Sequence, residues 1–137
     1  MTLTYQQQYV LDGLAARAAI MNLNARYNRW YSSGDVAGWL TTFRHAGATY
    51  ARDGQSFSDL PAAFDGGNGQ RLVTVDHDIT VDGVEATQQC IALLFRGAEL
   101  QATGGYSDRL VYERGGWYFT SRELVWDSAP RESVLPV

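Results

Sequence analysis

LDGLAARAAIMNLNARYNRWYSSGD, residues 11–35, reads as one long helix. Asp12 is a good N-cap and Gly34 a good stop. At 100° per residue, Ala16, Ala19, Ile20, Leu23, Tyr27, Trp30 and Tyr31 fall on one arc, the pattern of a buried stripe. Asp35 then caps a shorter helix, VAGWLTTF, with Trp39 and Phe43 one turn apart. A short strand, ATYAR, follows. Ser58 is placed to cap a brief helical turn through DLPAAF, where proline is tolerated in the first turn. DGGNGQ is a loop.

From Gln70 onward the period changes from 3.6 to 2. RLVTVDHDITV, EATQQCIALLF, LQATGGYSDRLVYE and GWYFTSRELVW read as four long strands. Asp82-Gly83 and Gly115-Gly116 between them are hairpin signals. Helices followed by an antiparallel meander define an α+β class, with helices on one face of a curled sheet.

A chain of 137 residues, 45% hydrophobic and 12% aromatic, suits one domain spanning residues 1–137 with a sizeable core. Its 15 acidic against 11 basic residues give a net charge of −4, which argues against a nucleic-acid surface. The N-terminus MTLTYQQQYVLDGL lacks a basic region leading into an apolar run, so no signal peptide is expected. The longest apolar run, CIALLF, is too short to span a bilayer, so no membrane partner and a cytoplasmic location are expected. Cys90 is alone and reads as packing. Two histidines and one cysteine make a zinc site improbable, and no phosphate-binding or nucleophile-elbow motif is present; no metal and no cofactor are expected.

Strand alternation places the polar residues that matter. In RLVTVDHDITV, strict alternation puts Val73, Val75, His77, Ile79 and Val81 on one face and Thr74, Asp76, Asp78 and Thr80 on the other. In GGYSDRLVYE, Gly104, Tyr106, Asp108, Leu110 and Tyr112 share a face. A carboxylate between Tyr106 and Leu110 must be hydrogen-bonded or protonated, because a bare buried charge costs several kcal/mol or more, roughly. His77 and Asp108 each also fit a bland reading, as satisfied polar residues of a core.

LAARAAIMNLNARYNRWYSSGDVAGWLTTFRHAG resembles the opening of SnoaL-like domains, in the superfamily named for nuclear transport factor 2. GGYSDRLVYERGGWYFTSRE resembles their last hairpin, and the likeness covers roughly residues 12–127. It implies a cystatin-like cone, a strongly curved antiparallel sheet around the long helix, with a pocket at the open end. Relatives include ketosteroid isomerase, scytalone dehydratase, bile-acid dehydratases, polyketide cyclases and limonene-epoxide hydrolase; others bind ligands or proteins without catalysis.

Carried over by position, the resemblance puts Tyr27 at the oxyanion-hole tyrosine of ketosteroid isomerase and Asp108 at its protonated aspartate. The general-base aspartate of that enzyme falls at Ala51, with Asp53 two residues on and on the same strand face. The Asp–His dyad of the dehydratase-like members falls at Ser32 and near Leu72, with His77 offset from it. Tyr31 matches a substrate-facing tyrosine of scytalone dehydratase.

The expected activity is cofactor-independent proton transfer next to a carbonyl (isomerisation, dehydration or cyclisation) on a small hydrophobic oxygenated molecule such as a polyketide- or steroid-like ketone. Tyr27 and Asp108 are the expected oxygen-binding donors and His77 the acid/base. Trp30, Tyr31, Tyr50, Asp53 and Tyr106 are the expected substrate contacts. The alternative is a non-catalytic ligand-binding or dimerisation domain of the same fold. A homodimer or higher homo-oligomer is expected, formed through outward Ile91, Leu93 and Phe95. The tail SAPRESVLPV is expected to close either the pocket or a dimer interface.

Overall fold

A computed structural model describes residues 2–127; the expectation for the tail lies outside the described residues. Helix α1 runs Tyr5–Ser33, two turns longer at its N-terminus than its apolar stripe suggests. The cap is Thr4, not Asp12: Thr4 Oγ1 accepts the Gln7 N–H at 3.0 Å and Gln7 Oε1 accepts the Thr4 N–H at 2.9 Å. This reciprocal pair satisfies two donors at the helix start. Gly34, at φ 79°, ends the helix in the left-handed conformation that glycine adopts without strain.

The chain continues through α2 (Val36–Leu40), β1 (Thr49–Arg52), β2 (Gln55–Phe57), α3 (Leu60–Ala63), β3 (Gln70–Asp82), β4 (Glu85–Arg96), β5 (Glu99–Glu113) and β6 (Gly116–Trp126). Asp35 caps α2 as expected, its carboxylate accepting the Gly38 N–H. Asp59 rather than Ser58 precedes α3. The six strands form one sheet in the order β2-β1-β6-β5-β4-β3. All pairs are antiparallel except β1 with β6. The sheet curls around α1 without closing, in the α+β cystatin-like arrangement.

Two bulges decide which side chains enter the cone. In β3 the register shifts between Val75 and Asp78, where Asp76 takes φ 54°. Leu72 and Thr74 face inward before the bulge, and His77, Ile79 and Val81 after it. Strict alternation from Val73 through Val81 therefore fails: Val75 is turned to solvent. In β6 the register steps from Phe119 to Ser121 opposite Leu110 and Arg109, so Trp117 and Phe119 point inward, and then Arg122 and Leu124. A bulge reverses the facing of every side chain beyond it.

The core joins Ile20, Leu23 and Tyr27 of α1 to Trp39, Phe43, Tyr50, Leu94, Tyr106, Leu110 and Phe119. Among the described residues no helix is long and apolar enough to cross a membrane. Gly104 lies where β5 presses on β6, and an added Cβ would stand 2.6 Å from the Val125 carbonyl oxygen. Gly105 next to it would meet nothing closer than 3.7 Å. Gly104→Ala is expected to lower unfolding free energy by about 1–3 kcal/mol in urea titration, and Gly105→Ala to change it far less.

Candidate functional site

A run of buried polar groups crosses the cone. Asn24 of α1 and Gln88 of β4 exchange two hydrogen bonds, Asn24 Nδ2 to Gln88 Oε1 at 2.6 Å and Gln88 Nε2 to Asn24 Oδ1 at 3.1 Å. Gln88 Nε2 also donates to Asp108 Oδ2 at 2.7 Å. Arg122 Nε donates to Asp108 Oδ1 at 2.9 Å, and both side chains of this ion pair are fully enclosed. The guanidinium lies 3.5 Å from the Tyr106 ring centroid, 4.2 Å from Tyr27 and 4.3 Å from Phe119. Cation–π attraction of this kind strengthens when water is excluded.

Burial pushes the Asp108 carboxyl up, opposed by Arg122 and by the Gln88 amide. With a guanidinium and an amide donating to its two oxygens, the geometry fits the carboxylate. The expectation that Asp108 and Tyr27 meet as two proton donors is therefore corrected. Asp108 is an acceptor tied to Arg122, and Arg122 is the group that reaches Tyr27. Burial works against the Arg122 charge as well, but Asp108 outweighs it and the guanidinium stays protonated.

Tyr27 is wedged among Trp39, Phe43, Tyr106 and Phe119, with ring centroids 5.7–6.1 Å away. Three enclosed donors in this cluster have no hydrogen-bond partner among the described residues: Tyr27 Oη, Trp39 Nε1 and Arg122 Nη1. Tyr106 and Trp39 approach the Tyr27 hydroxyl closely enough to favour its ionised form slightly, short of bonding to it. Burial dominates and raises the phenols of Tyr27, Tyr31, Tyr50 and Tyr106, so all four keep their protons at neutral pH. Burial also pushes the Cys90 thiol up to about 11, which makes it a poor nucleophile.

His77 stands half-buried at the edge of this cluster. Its Nε2 lies 2.9 Å from Thr74 Oγ1, and Thr74 Oγ1 accepts from Asn28 Nδ2 at 2.9 Å. Burial first, and the Arg122 charge second, lower its pKa, so the ring is neutral at pH 7. Tyr50 packs on Trp39 and Phe57. Tyr31 packs on Phe64 and donates to Asp65 Oδ1 at 3.0 Å, where Arg52 Nη1 lies 3.3 Å from Asp65 Oδ2. Trp30 is half-buried at the periphery of the core, its indole against Gly38 of α2. Asp53 is in the exposed turn after β1 and accepts the Trp126 N–H at 2.9 Å.

The structure thus gathers Tyr27, Tyr106 and Asp108, with Tyr31, Tyr50 and His77 around them, and leaves Trp30 and Asp53 apart. The residues not anticipated are Arg122, Gln88 and Asn24. Gln88 shares parity with Cys90, Ala92 and Leu94, and Asn24 lies one turn from Ile20, so both were within reach of periodicity. Ser32 and Leu72, the positions to which the dehydratase dyad transfers, lie side by side. Ser32 Oγ donates to the Asn28 carbonyl and accepts the Leu72 N–H at 2.9 Å, tying α1 to β3.

Residues 12–123 match the model of the SnoaL-like domain. The chain belongs to this family. Among solved structures it is similar to a nuclear transport factor 2-like protein with a cystatin-like fold from Novosphingobium aromaticivorans: TM-score 0.77, 21% identity, 94% of each chain covered. A candidate scytalone dehydratase from the same organism gives TM-score 0.75 at 17% identity, covering 89% of this chain and 91% of that one. LinA gives 0.69 at 16%, covering 93% and 97%. No curated protein matches. At these identities the likeness establishes the fold.

Arg122→Met strands the Asp108 carboxylate and is expected to cost about 3–5 kcal/mol of stability. In Arg122→Met/Asp108→Leu most of that loss should return, read as a coupling energy in urea unfolding. For His77 the lowered pKa sets the sign. Above its ordinary value of 6.5 the ring is neutral in both states and contributes no pH dependence. As pH falls below that, the unfolded chain takes the proton first and stability declines, levelling once the folded-state pKa is passed. Chemical denaturation at pH 7 and pH 5 should show this decline in the wild type and a smaller one in His77→Gln.

Proposed function

We propose that the protein binds a small, largely hydrophobic molecule carrying a carbonyl oxygen in the cone, and moves a proton next to that carbonyl without a cofactor. The observation that carries this reading is the trio of enclosed donors, Tyr27 Oη, Trp39 Nε1 and Arg122 Nη1, left without a partner among the described residues. An enclosed donor without an acceptor costs about 1–3 kcal/mol. A ligand oxygen satisfies such donors, and an enolate oxygen satisfies them better, which is the basis of oxyanion stabilisation.

In this scheme Tyr27 and Arg122 hold the oxygen, and Asp108 is a positioning residue that fixes and neutralises Arg122. His77 is the general base: it is neutral at pH 7, and in the tautomer that donates Nε2–H to Thr74 Oγ1, Nδ1 is the free nitrogen that takes the proton. Tyr31, Tyr50 and Tyr106 form the wall. Isomerisation, dehydration and cyclisation all begin with this step. The whole chain acts as one SnoaL-like domain.

A second reading, a ligand-binding domain without catalysis, draws on Ser32. Where a dyad aspartate would stand, its hydroxyl joins α1 to β3 as a structural link.

One experiment separates the two readings. A panel of apolar cyclic ketones is screened by quenching of intrinsic tryptophan fluorescence, and binders are incubated in deuterium oxide with proton NMR detection of exchange beside the carbonyl. Catalysis predicts accelerated exchange, reduced about 10²–10³-fold in Tyr27→Phe and about 10²–10⁴-fold in His77→Gln. Binding without accelerated exchange assigns the second reading. Absence of binding by every ketone contradicts both.

A further inference from the structure

Phe64 and Asp65 follow α3 and together cover Tyr31. The Phe64 ring packs on Tyr31 and Trp39, at centroid distances of 5.7 and 5.2 Å. Asp65 Oδ1 accepts the Tyr31 hydroxyl at 3.0 Å, and Asp65 Oδ2 lies 3.3 Å from Arg52 Nη1. An aromatic ring and a carboxylate, carried by neighbouring residues, thus fill a place built of two aromatic rings, a phenol and a guanidinium.

The receiving half of this contact is fixed without Asp65. Arg52 Nη1 donates to the Ala63 carbonyl at 3.0 Å, and the guanidinium carbon lies 5.0 Å from the Phe57 ring centroid. The occupying half is held less firmly. The Asp65 side chain is 50% exposed against 22% for Arg52, and an ion pair this open to water is worth little. Two backbone anchors flank it and need not move when it does. One is Ala63, bonded to Arg52; the other is Gly67, whose N–H donates to the Tyr31 carbonyl at 2.8 Å. Between them Gly66 lets the chain lie flat on the end of α1, where an added Cβ would collide with the Tyr31 carbonyl oxygen.

We propose that Phe64 and Asp65 are a built-in stand-in for a ligand, and that the place they fill is a subsite for small aromatic carboxylic acids. The ring of the acid replaces Phe64 on Tyr31 and Trp39. Its carboxylate replaces Asp65 on Tyr31 Oη and Arg52, and residues 64 and 65 swing out into solvent. A planar guanidinium suits the two oxygens of a carboxylate, and the aromatic floor selects an acid with a ring over a bare inorganic anion. Displacing Phe64 also uncovers Trp39, whose indole N–H has no partner among the described residues. An acid that carries a ketone beyond its ring therefore reaches toward the donors of the cone. That extension rests on the function proposed above, whereas the carboxylate subsite stands without it.

NMR titration with phenylacetate, hydrocinnamate and naphthylacetate, each against the primary alcohol of the same skeleton, tests the proposal. The wild type is expected to bind the acids weakly, because Asp65 competes for Arg52. Asp65→Asn keeps an acceptor for Tyr31 and removes the competing charge. It is expected to bind the acids about tenfold more tightly than the wild type does, and about tenfold more tightly than it binds the alcohols. The labelled Arg52 Nε resonance should shift as each acid is added. In Arg52→Gln/Asp65→Asn, with unchanged far-ultraviolet circular dichroism, acids and alcohols should bind alike. Absence of acid binding in Asp65→Asn, equal binding of acid and alcohol there, or a preference that survives the loss of Arg52 would overturn the proposal. The ketone screen fails separately. Ketones that bind while acids show no preference leave the cone reading standing and remove this one; acids that bind as described while every ketone fails remove the cone reading alone.

Discussion

The interior is organised by one fully enclosed ion pair, Arg122 with Asp108, whose guanidinium lies against three aromatic rings. Two enclosed charges survive only when each is matched and hydrogen-bonded. Asp108 therefore takes both of its donors from neighbouring strands, Arg122 from β6 and Gln88 from β4, and Gln88 takes its own partner from Asn24 of α1. The chain of bonds runs from the helix through β4 and β5 to β6, and it fixes their register as well as their charge. The aromatic rings follow from it: Tyr27, Tyr106 and Phe119 cover the guanidinium faces that no hydrogen bond reaches.

That arrangement leaves a chemical remainder. Arg122 spends Nε on Asp108 and lies against three rings, and its Nη1, the Tyr27 hydroxyl and the Trp39 indole are buried without a partner among the described residues. A core built only for stability would pair or omit these groups. The fold belongs to a family that hosts several chemistries, so the case for a carbonyl ligand rests on these donors and on the neutral imidazole beside them, not on the fold.

Much of this was legible in the sequence. The 3.6 period of Ile20, Leu23 and Tyr27, the later period of 2 and the Gly34-Asp35 turn set out helix and meander, and the resemblance carried by residues 14–47 and 104–123 pointed to the family. Asp108 falls inward as alternation requires, because β5 runs regularly through Tyr106, Asp108 and Leu110. Arg122 was hidden for a local reason: the irregularity at Thr120 reverses β6, and strict alternation from Trp117 turns that arginine outward. The same effect at Asp76 misplaced Val73 and Val75 relative to His77. Bulges carry weak sequence signals because the extra residue need not be glycine. The true start of α1 was missed for the opposite reason. Thr4 and Gln7 have capping-box spacing, but the turns they begin cover no core, so no buried stripe announces them.

The central claim is that residue 108 is a buried carboxylate locked to a protonated guanidinium. Carbon-13 NMR of the labelled Asp108 carboxyl, combined with nitrogen-15 NMR of the Arg122 side chain, measures both directly. The account predicts an ionised carboxylate at pH 7 and guanidinium protons that exchange slowly with solvent. A protonated Asp108 at pH 7, or Arg122 protons exchanging as fast as those of a surface arginine, would contradict it.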